Sequence, residues 1–224
     1  MRRRKSSGAS LIEFSFALLV LVPMLLGITS YGLNMILSLE TVQLARDAGH
    51  MFAKAFDFSL AGNQSLLAQL GSGVGLKATA GTGNAVVVLS SVTYVDKGVC
   101  SSFKLWNNTT NSPQGCTNYQ QWVFVQRLMV GNQNMYASSL GAPVTTGKTP
   151  VSLDAGTGMV NPASQQATNS GDVAVFTGLN PFVVAGNLDQ LPSGQMLYVG
   201  EAAAKAFVMP PFSKGGVMYA YTMF

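Results

Sequence analysis

The chain has 224 residues, of which 48% are hydrophobic and only 10% are charged. The charged fraction is well below the ~25% of a typical soluble domain, and the length allows one membrane segment plus one modest globular domain. Four of the 13 lysines and arginines stand at residues 2–5, and the others balance the 9 acidic residues. This distribution gives no basic surface for nucleic acid, so we expect no nucleic-acid partner.

A long apolar run follows the basic residues Arg2 to Lys5. No charged residue stands between Phe14 and Leu39, and a bilayer core requires only ~20 residues of helix. A cleaved secretory signal also begins with basic residues, but its apolar core is ~7–15 residues long and ends at a small-residue cleavage site. The longer run here favours a retained transmembrane helix over about 14–39. The positive-inside rule then places the N-terminus in the cytoplasm and the residues after Leu39 outside it.

The helical pattern continues beyond the predicted span. Polar residues recur at alternating steps of three and four from Glu40 to Asp57, and apolar or small residues do so on another face from Leu37 to Ala55. This is the period of an amphipathic helix. We therefore predict one helix from Ala9 to about Phe56, ~70 Å long, whose outer part packs its apolar stripe against the rest of the protein.

Two residues inside the predicted span can disturb a helix. Pro23 lacks a backbone N–H, and Gly27 lacks a side chain. We predict a kink or a local loosening of the helix at these positions. The alternative is that both residues are simply more common in membrane helices than in soluble ones.

The chain after Asp57 reads as a β-rich domain over residues 58–224. A short helical turn is predicted within 62–70, and a glycine-rich connection follows it at 71–84. The glycines match no phosphate-binding pattern. Five segments are rich in β-branched or aromatic residues and are predicted as strands: 84–95, 121–130, 171–178, 195–208 and 216–224.

The order of these strands indicates an antiparallel sheet, because no long helix separates them. We expect segment 121–130 to be central, since it is apolar on both faces, and segment 216–224 to be an edge. Segment 195–208 is ambiguous, because its alanines favour a helix, but Pro210 and Pro211 would end a strand cleanly. The polar, glycine-rich stretch 131–171 is predicted as a long loop, either functional or poorly ordered. The predicted fold class is α+β, with the long N-terminal helix covering the sheet.

Cys100 and Cys116 are the only cysteines, and they flank a polar loop. Outside the cytoplasm such a pair is typical of a disulfide, and a ring of this size stabilises a fold by ~3 kcal/mol in the chain-entropy model. A zinc site is not expected, since it needs four ligands and His50 is the only histidine. No cofactor is predicted.

No constellation of catalytic residues is apparent in the sequence. No pattern combines a nucleophile, a base and an orienting group, and no G-x-S-x-G motif stands on a strand-to-helix turn. The single histidine falls in the polar stripe of the long helix, where solvent or a partner would meet it. We therefore do not expect an enzyme.

The N-terminal sequence RRRKSSG-ASLIEF, followed by an apolar helix, resembles the class III signal of type IV pilin-like proteins. More narrowly, residues 8–35 resemble the TadE-like pseudopilins of tight-adherence (Flp) pilus systems, which show Gly-Ala-x-x-x-Glu-Phe, a proline in mid-span and a Gly-Ile-x-x-x-Gly segment. The matching positions are Gly8, Ala9, Glu13, Phe14, Pro23, Gly27 and Gly32. The resemblance covers about residues 1–57, with weaker similarity in the terminal strands, and residues 58–170 carry no assignable motif.

This resemblance implies a processing site and a role for one carboxylate. A prepilin peptidase would cut between Gly8 and Ala9 and so remove a basic leader of residues 1–8. Glu13 would then be the fifth residue, where it meets the new amino terminus of a neighbouring subunit. That partner would offset the ~2.5–3.5 kcal/mol that an intramembrane carboxylate costs at a helix centre. The alternative is an acidic residue at the headgroup boundary that needs no partner.

The resemblance further implies a minor pseudopilin-like protein that assembles or primes a tight-adherence pilus or related secretion filament. Such a protein would lie in the bacterial inner membrane with its C-terminal domain in the periplasm. Its length favours a minor component over the shaft subunit. Expected partners are the prepilin peptidase, other pilin-like subunits, the inner-membrane pilus platform and the lipid bilayer. The alternative is an unprocessed, single-pass membrane anchor that carries an extracytoplasmic binding domain.

Overall fold

A computed structural model describes residues 7–175 and 193–224 of the chain, with side chains from Leu11 onward. Its helices are α1 (Ser7–Ala53), α2 (Ala61–Leu70), α3 (Lys97–Ser102) and α4 (Gln165–Thr168). Its strands are β1 (Ala85–Tyr94), β2 (Trp106–Asn107), β3 (Ser112–Pro113), β4 (Trp122–Gly131), β5 (Met196–Lys205) and β6 (Val217–Met223). The predicted α+β class, with a long apolar N-terminal helix and an antiparallel sheet, is confirmed.

The main sheet has four strands in the order β4-β1-β5-β6, and each neighbouring pair is antiparallel. Strands β2 and β3 form a separate two-stranded ladder. The prediction that segment 216–224 forms an edge is correct for the part of the chain that the structure describes, because β6 pairs there only with β5. The prediction that segment 195–208 is a strand is also correct for Met196–Lys205. Helix α2 is longer than the single turn that the sequence predicted.

The prediction that segment 121–130 is central is wrong, because β4 is the other edge of the sheet. Parts of the long loop and the residues just after it lie along the free edge of β4 and bond to its backbone. The Arg127 N–H donates to the Gly158 carbonyl at 2.9 Å, and the Ala174 N–H donates to the Trp122 carbonyl at 2.8 Å. An irregular segment thus occupies the place of a further strand. The two faces of β4 are covered as well, since Val123 packs in one cluster with Ala167 and Phe124 packs in another with Leu140 and Ala174. This packing explains why an edge strand is apolar on both faces.

The strand predicted at 171–178 is also wrong where the structure describes it. Ser170–Asp172 form a 3₁₀ turn, and Val173 makes only an isolated bridge to Val123. The Asn169 side chain accepts a hydrogen bond from the Gly171 N–H at 2.9 Å, a local bond that favours a turn over a ladder. Residues 176–178 of that prediction lie outside the described residues.

Helix α1 lies across one face of the sheet and packs mainly on β5 and β6. The predicted apolar stripe is buried there over Leu44, Ala45, Ala48 and Phe52, which face core residues of β1 and β5. Its predicted end, Ala55, is exposed. The helix ends at Ala53, three residues before the predicted end. Ala55 adopts a left-handed backbone conformation (φ 62°), which terminates the helix.

The helix approaches the sheet most closely at a pair of glycines. A Cβ atom built on Gly200 would lie 2.6 Å from the Ala45 carbonyl oxygen and 2.7 Å from the Gly49 Cα atom. A Cβ atom on Gly49 would lie 2.9 Å from side-chain atoms of both Thr222 and Phe224. The two backbones therefore touch, and no other residue type fits at Gly200 without moving one of them.

We expect Gly200→Ala to destabilise the fold by roughly 1–3 kcal/mol, because the added methyl group meets helix backbone that cannot rotate away. The measurement is thermal unfolding of the full-length protein in detergent micelles. Gly216→Ala is the matched control, since nothing lies within 4 Å of a Cβ atom at that position. Equal melting temperatures for the two variants would show that α1 and β5 do not require this contact.

Candidate functional site

The N-terminal part of α1 is apolar and uncovered. Every side chain from Leu11 to Leu26 is exposed, and the helix is long and apolar enough to cross a membrane. The hydroxyl groups of Ser15 and Thr29 donate to the carbonyls of Leu11 and Leu25, one turn back, at 2.9 and 2.8 Å. These bonds keep the polar groups within the helix, as an apolar solvent requires. We call residues 11–26 the exposed segment.

Glu13 is the only charged residue of the exposed segment. It and Phe14 are both exposed. Gly8 and Ala9 lie in the first turns of the same helix. Ala9 and Glu13 are four residues apart and therefore lie on one helix face, ~6 Å apart along the axis. A cut after Gly8 would thus leave the carboxylate one turn from the new amino terminus.

Pro23 and Gly27 do not interrupt the helix, because α1 continues through both residues. A kink there stays a prediction. Gly27 has a contact that the sequence did not reveal: a Cβ atom at this position would lie 3.5 Å from the Phe212 ring. Phe212 belongs to the segment 206–216 that joins β5 to β6, which we call the β5–β6 loop. This loop reaches down the helix to the end of the exposed segment.

Asn34 holds the β5–β6 loop to the helix. Its carboxamide oxygen accepts from the Phe207 N–H at 2.7 Å, and its amide nitrogen donates to the Phe207 carbonyl at 3.2 Å and to Ser213 Oγ at 3.3 Å. Ser213 Oγ also donates to the Phe207 carbonyl at 2.7 Å. Ser30, one turn below Asn34, is buried. The sequence signal for this contact is an asparagine inside an otherwise apolar run.

The predicted disulfide between Cys100 and Cys116 is present, and the two Cα atoms lie 5.8 Å apart. Both cysteines are buried in a small cluster with Val95 and Val123. This cluster lies at the end of the sheet where β1 finishes, away from the β5–β6 loop at the end of β5. The disulfide therefore stabilises the part of the domain that is distant from the exposed segment.

The second face of the sheet carries a buried polar cluster. The Glu201 carboxylate accepts from the hydroxyl groups of Ser138 and Tyr219, at 2.5 and 2.7 Å, and from the Ser139 N–H at 3.2 Å. Arg127 is also buried on this face and donates to Ser90 Oγ at 3.4 Å. Burial lowers the pKa of Arg127, and the negative charge of Glu201 opposes that shift.

This cluster attaches the long loop to the sheet. Ser138 and Ser139 belong to the predicted loop 131–171, which is thus held against the second face rather than left free. The Tyr136 and Tyr219 rings stack with centroids 4.7 Å apart beside the same carboxylate. Burial raises the pKa of Tyr219, so its hydroxyl group remains a donor. The Glu201 carboxylate is bonded on every side by groups that hold the loop to the sheet, so we assign the cluster to stability.

Asp172 is a second buried acid, with no such partners. The side chain is fully buried, and neither carboxylate oxygen has a hydrogen-bond partner among the described residues. Desolvation raises the pKa of Asp172 to about 8. Nor do the described residues place three or more histidine, cysteine or acidic side chains together as a metal site would require.

We expect the buried Asp172 carboxyl group to make the free energy of unfolding depend on pH. Its folded-state pKa lies above the ordinary value, so the folded protein binds the proton more tightly and the stability from this group is lost as pH rises from ~4 to about 8. Asp172→Asn should be more stable than the parent at pH 8, by a few kcal/mol, with the difference vanishing near pH 4.

Unfolding of both proteins across that pH range is the measurement. Asp154→Asn is the control of opposite sign, because hydrogen bonds from Thr157 lower the pKa of the exposed Asp154. Asp154→Asn should therefore lose stability above pH ~4 relative to the parent. A pH-independent difference for Asp172→Asn would mean that the buried carboxylate has a partner.

Comparison of the chain with protein-family models, with curated proteins and with solved structures finds no match. The function must therefore be argued from the residues and their arrangement.

Proposed function

We propose that the protein is a minor pseudopilin-like subunit that is cut after Gly8 and takes part in assembling or priming a pilus or related secretion filament. The observation that carries the proposal is the combination of a basic leader with the exposed segment directly behind it. The leader ends at Gly8, and the segment bears one carboxylate, Glu13, in its first turn. The proposed location is the inner membrane of a bacterium, with the leader in the cytoplasm.

The shape of the described chain supports this proposal. A single helix provides both the exposed segment and, from Leu37 onward, the buried cover of the sheet. A subunit that is to be extracted from a bilayer and packed against others needs a rigid apolar helix fixed to a folded domain. The unbroken α1 meets that requirement.

A second support is an apolar stripe beside the folded domain. Met35, Leu39 and Val42 are spaced by four and three residues, and each is more than half exposed. They lie on the side of α1 that faces away from the sheet. Thr41 and Leu44 lie on the opposite side of the helix and are buried. An exposed apolar helix face beside the folded domain is the kind of surface on which a second helix packs. Partner subunits with a similar helix are therefore the proposed occupants.

The second candidate function is an unprocessed membrane anchor that carries a binding domain. The same exposed segment supports it, since any single-pass anchor needs such a helix. The two candidates differ in what they require of Gly8 and Glu13. A mere anchor needs neither residue.

We expect co-expression with a prepilin peptidase to yield a mature protein that begins at Ala9. Gly8→Val should abolish the cut, because the peptidase must fit the residue before the scissile bond, and Gly8→Ala should impair it less. Intact-mass measurement of the purified protein gives the readout. Gly62→Ala is the control, since Gly62 lies outside the pseudopilin pattern and nothing lies within 4 Å of a Cβ atom there. Recovery of only full-length protein from the native host would refute processing and leave the anchor candidate standing.

We expect Glu13→Gln to insert and be cut normally but to fail in filament assembly. An anchor would tolerate the change, because removing a charge lowers the cost of insertion. A subunit would not, because the new amino terminus of its neighbour would lose its counter-charge in a medium of low dielectric constant. Membrane fraction, N-terminal mass and surface filaments are measured together in a deletion strain.

Ser15→Ala serves as the control for this experiment, because Ser15 is a polar neighbour whose hydroxyl group bonds only within the helix. Its filaments should be normal. Normal filaments from a stable, processed Glu13→Gln protein would show that Glu13 has no role in assembly.

A further inference from the structure

We propose that the β5–β6 loop rests on the outer surface of the phospholipid bilayer. This contact would place the outer edge of the spanning segment near Gly27 instead of at Leu39. The inference rests on membrane insertion of α1, which the pseudopilin and anchor candidates share, and it does not require processing or filament assembly.

The loop lies beside the helix within the span that the sequence predicted. Asn34 bonds to Phe207 and Ser213, and the Phe212 ring contacts the helix at Gly27. Both contact points on α1 fall between residues 14 and 39. The predicted span and the observed loop therefore compete for the same length of helix.

The loop cannot lie in hydrocarbon. Its backbone is irregular between β5 and β6, and its internal backbone bonds are the Ala206 N–H to the Gly216 carbonyl at 2.9 Å and the reciprocal Met209–Ser213 pair at 2.8 and 3.2 Å. Lys214, Gly215 and Gly216 are exposed. Lipid-exposed irregular backbone does not occur in the hydrocarbon core, since its unpaired N–H and C=O groups cost several kcal/mol each. A lysine head there adds a further penalty. The bilayer core must therefore end below the loop.

The remaining helix has the length that this placement requires. From Ala9 to Gly27 it extends about 27 Å at ~1.5 Å per residue, and a hydrocarbon core is ~30 Å thick. Strand β5 also follows the axis of α1. Asn34 contacts Phe207, and Gly49 contacts Gly200. The two helix residues are about 22 Å apart along α1, and their two partners are about 23 Å apart along the extended chain. Strand β5 thus runs down α1 toward the membrane.

The side chains of the loop suit a phospholipid surface. Val208 is 55% exposed and Phe212 is 40% exposed, so apolar groups point outward at the lower end of the domain. Lys205 and Lys214 are exposed on either side of them, where they can meet anionic headgroups. Tyr31, 75% exposed, lies one turn above Gly27, at the level where aromatic residues are enriched in membrane proteins.

Depth-dependent quenching of single labels tests the placement. Cysteine is introduced separately for Val208, Leu18, Leu39 and Met196 in the full-length protein, which is labelled with an environment-sensitive fluorophore without reduction of the native disulfide. The protein is reconstituted in vesicles of phosphatidylcholine with phosphatidylglycerol. Separate vesicle batches carry a nitroxide either near the headgroup or deep in the acyl chain. Met196, at the opposite end of β5 from Lys205 and ~30 Å away, is the control above the membrane.

The label at residue 208 should be quenched about twofold more by the shallow nitroxide than by the deep one, as expected for insertion of ~5–10 Å. The label at residue 18 should show the reverse order, and those at residues 39 and 196 should be quenched by neither. Deep quenching at both 208 and 39 would overturn the proposal, because the span would then extend to Leu39. Absence of quenching at 208 would overturn it too, because the loop would stand clear of the bilayer. A protein that gives the expected profile but is never cut would disprove the pseudopilin function alone.

Discussion

The contact between Gly49 of α1 and Gly200 of β5 sets how the long helix is positioned on the sheet. With no side chain on either residue, helix and strand backbones lie in direct contact, and the neighbouring Ala45 and Ala48 can be buried against the sheet. Close approach at one point also sets the register along the whole interface. The β5–β6 loop can reach Asn34 and Gly27 only because β5 runs down the helix from that contact.

Much of the fold could be predicted from local patterns in the sequence. The period of three and four residues revealed the long helix and its buried stripe, and the β-branched runs gave β1, β4, β5 and β6 within one or two residues at most ends. Position within the sheet was less predictable. Strand β4 is apolar on both faces, which is typical of a central strand, yet the covering that it needs comes from an irregular loop. Local composition cannot distinguish a neighbouring strand from a loop that lies in its place.

The candidate site was only partly visible in the sequence. The charge pattern and the resemblance of the N-terminal residues predict roles for Gly8 and Glu13, because these signals are contained in a short stretch, and both roles stay predictions. Asn34 and Phe212 were missed because their contact joins residues that are far apart in the chain. Asp172 was predicted to lie in a strand, whereas it lies in a buried turn, where its carboxylate has no hydrogen-bond partner among the described residues. Such features depend on tertiary packing, and a single sequence carries no direct record of it.

The continuity of α1 has a consequence for orientation about the helix axis. Each residue of an α-helix turns its side chain by ~100° from the previous one. Since α1 is unbroken from Ser7 to Ala53, the direction in which Glu13 extends from the helix axis is fixed relative to the sheet that packs farther along the same helix. If a partner subunit meets this carboxylate in the membrane, as proposed, that contact also determines which side of the folded domain faces the partner. One residue inserted or deleted between Glu13 and Gly27 would leave both parts intact but rotate one against the other by more than a quarter of a turn.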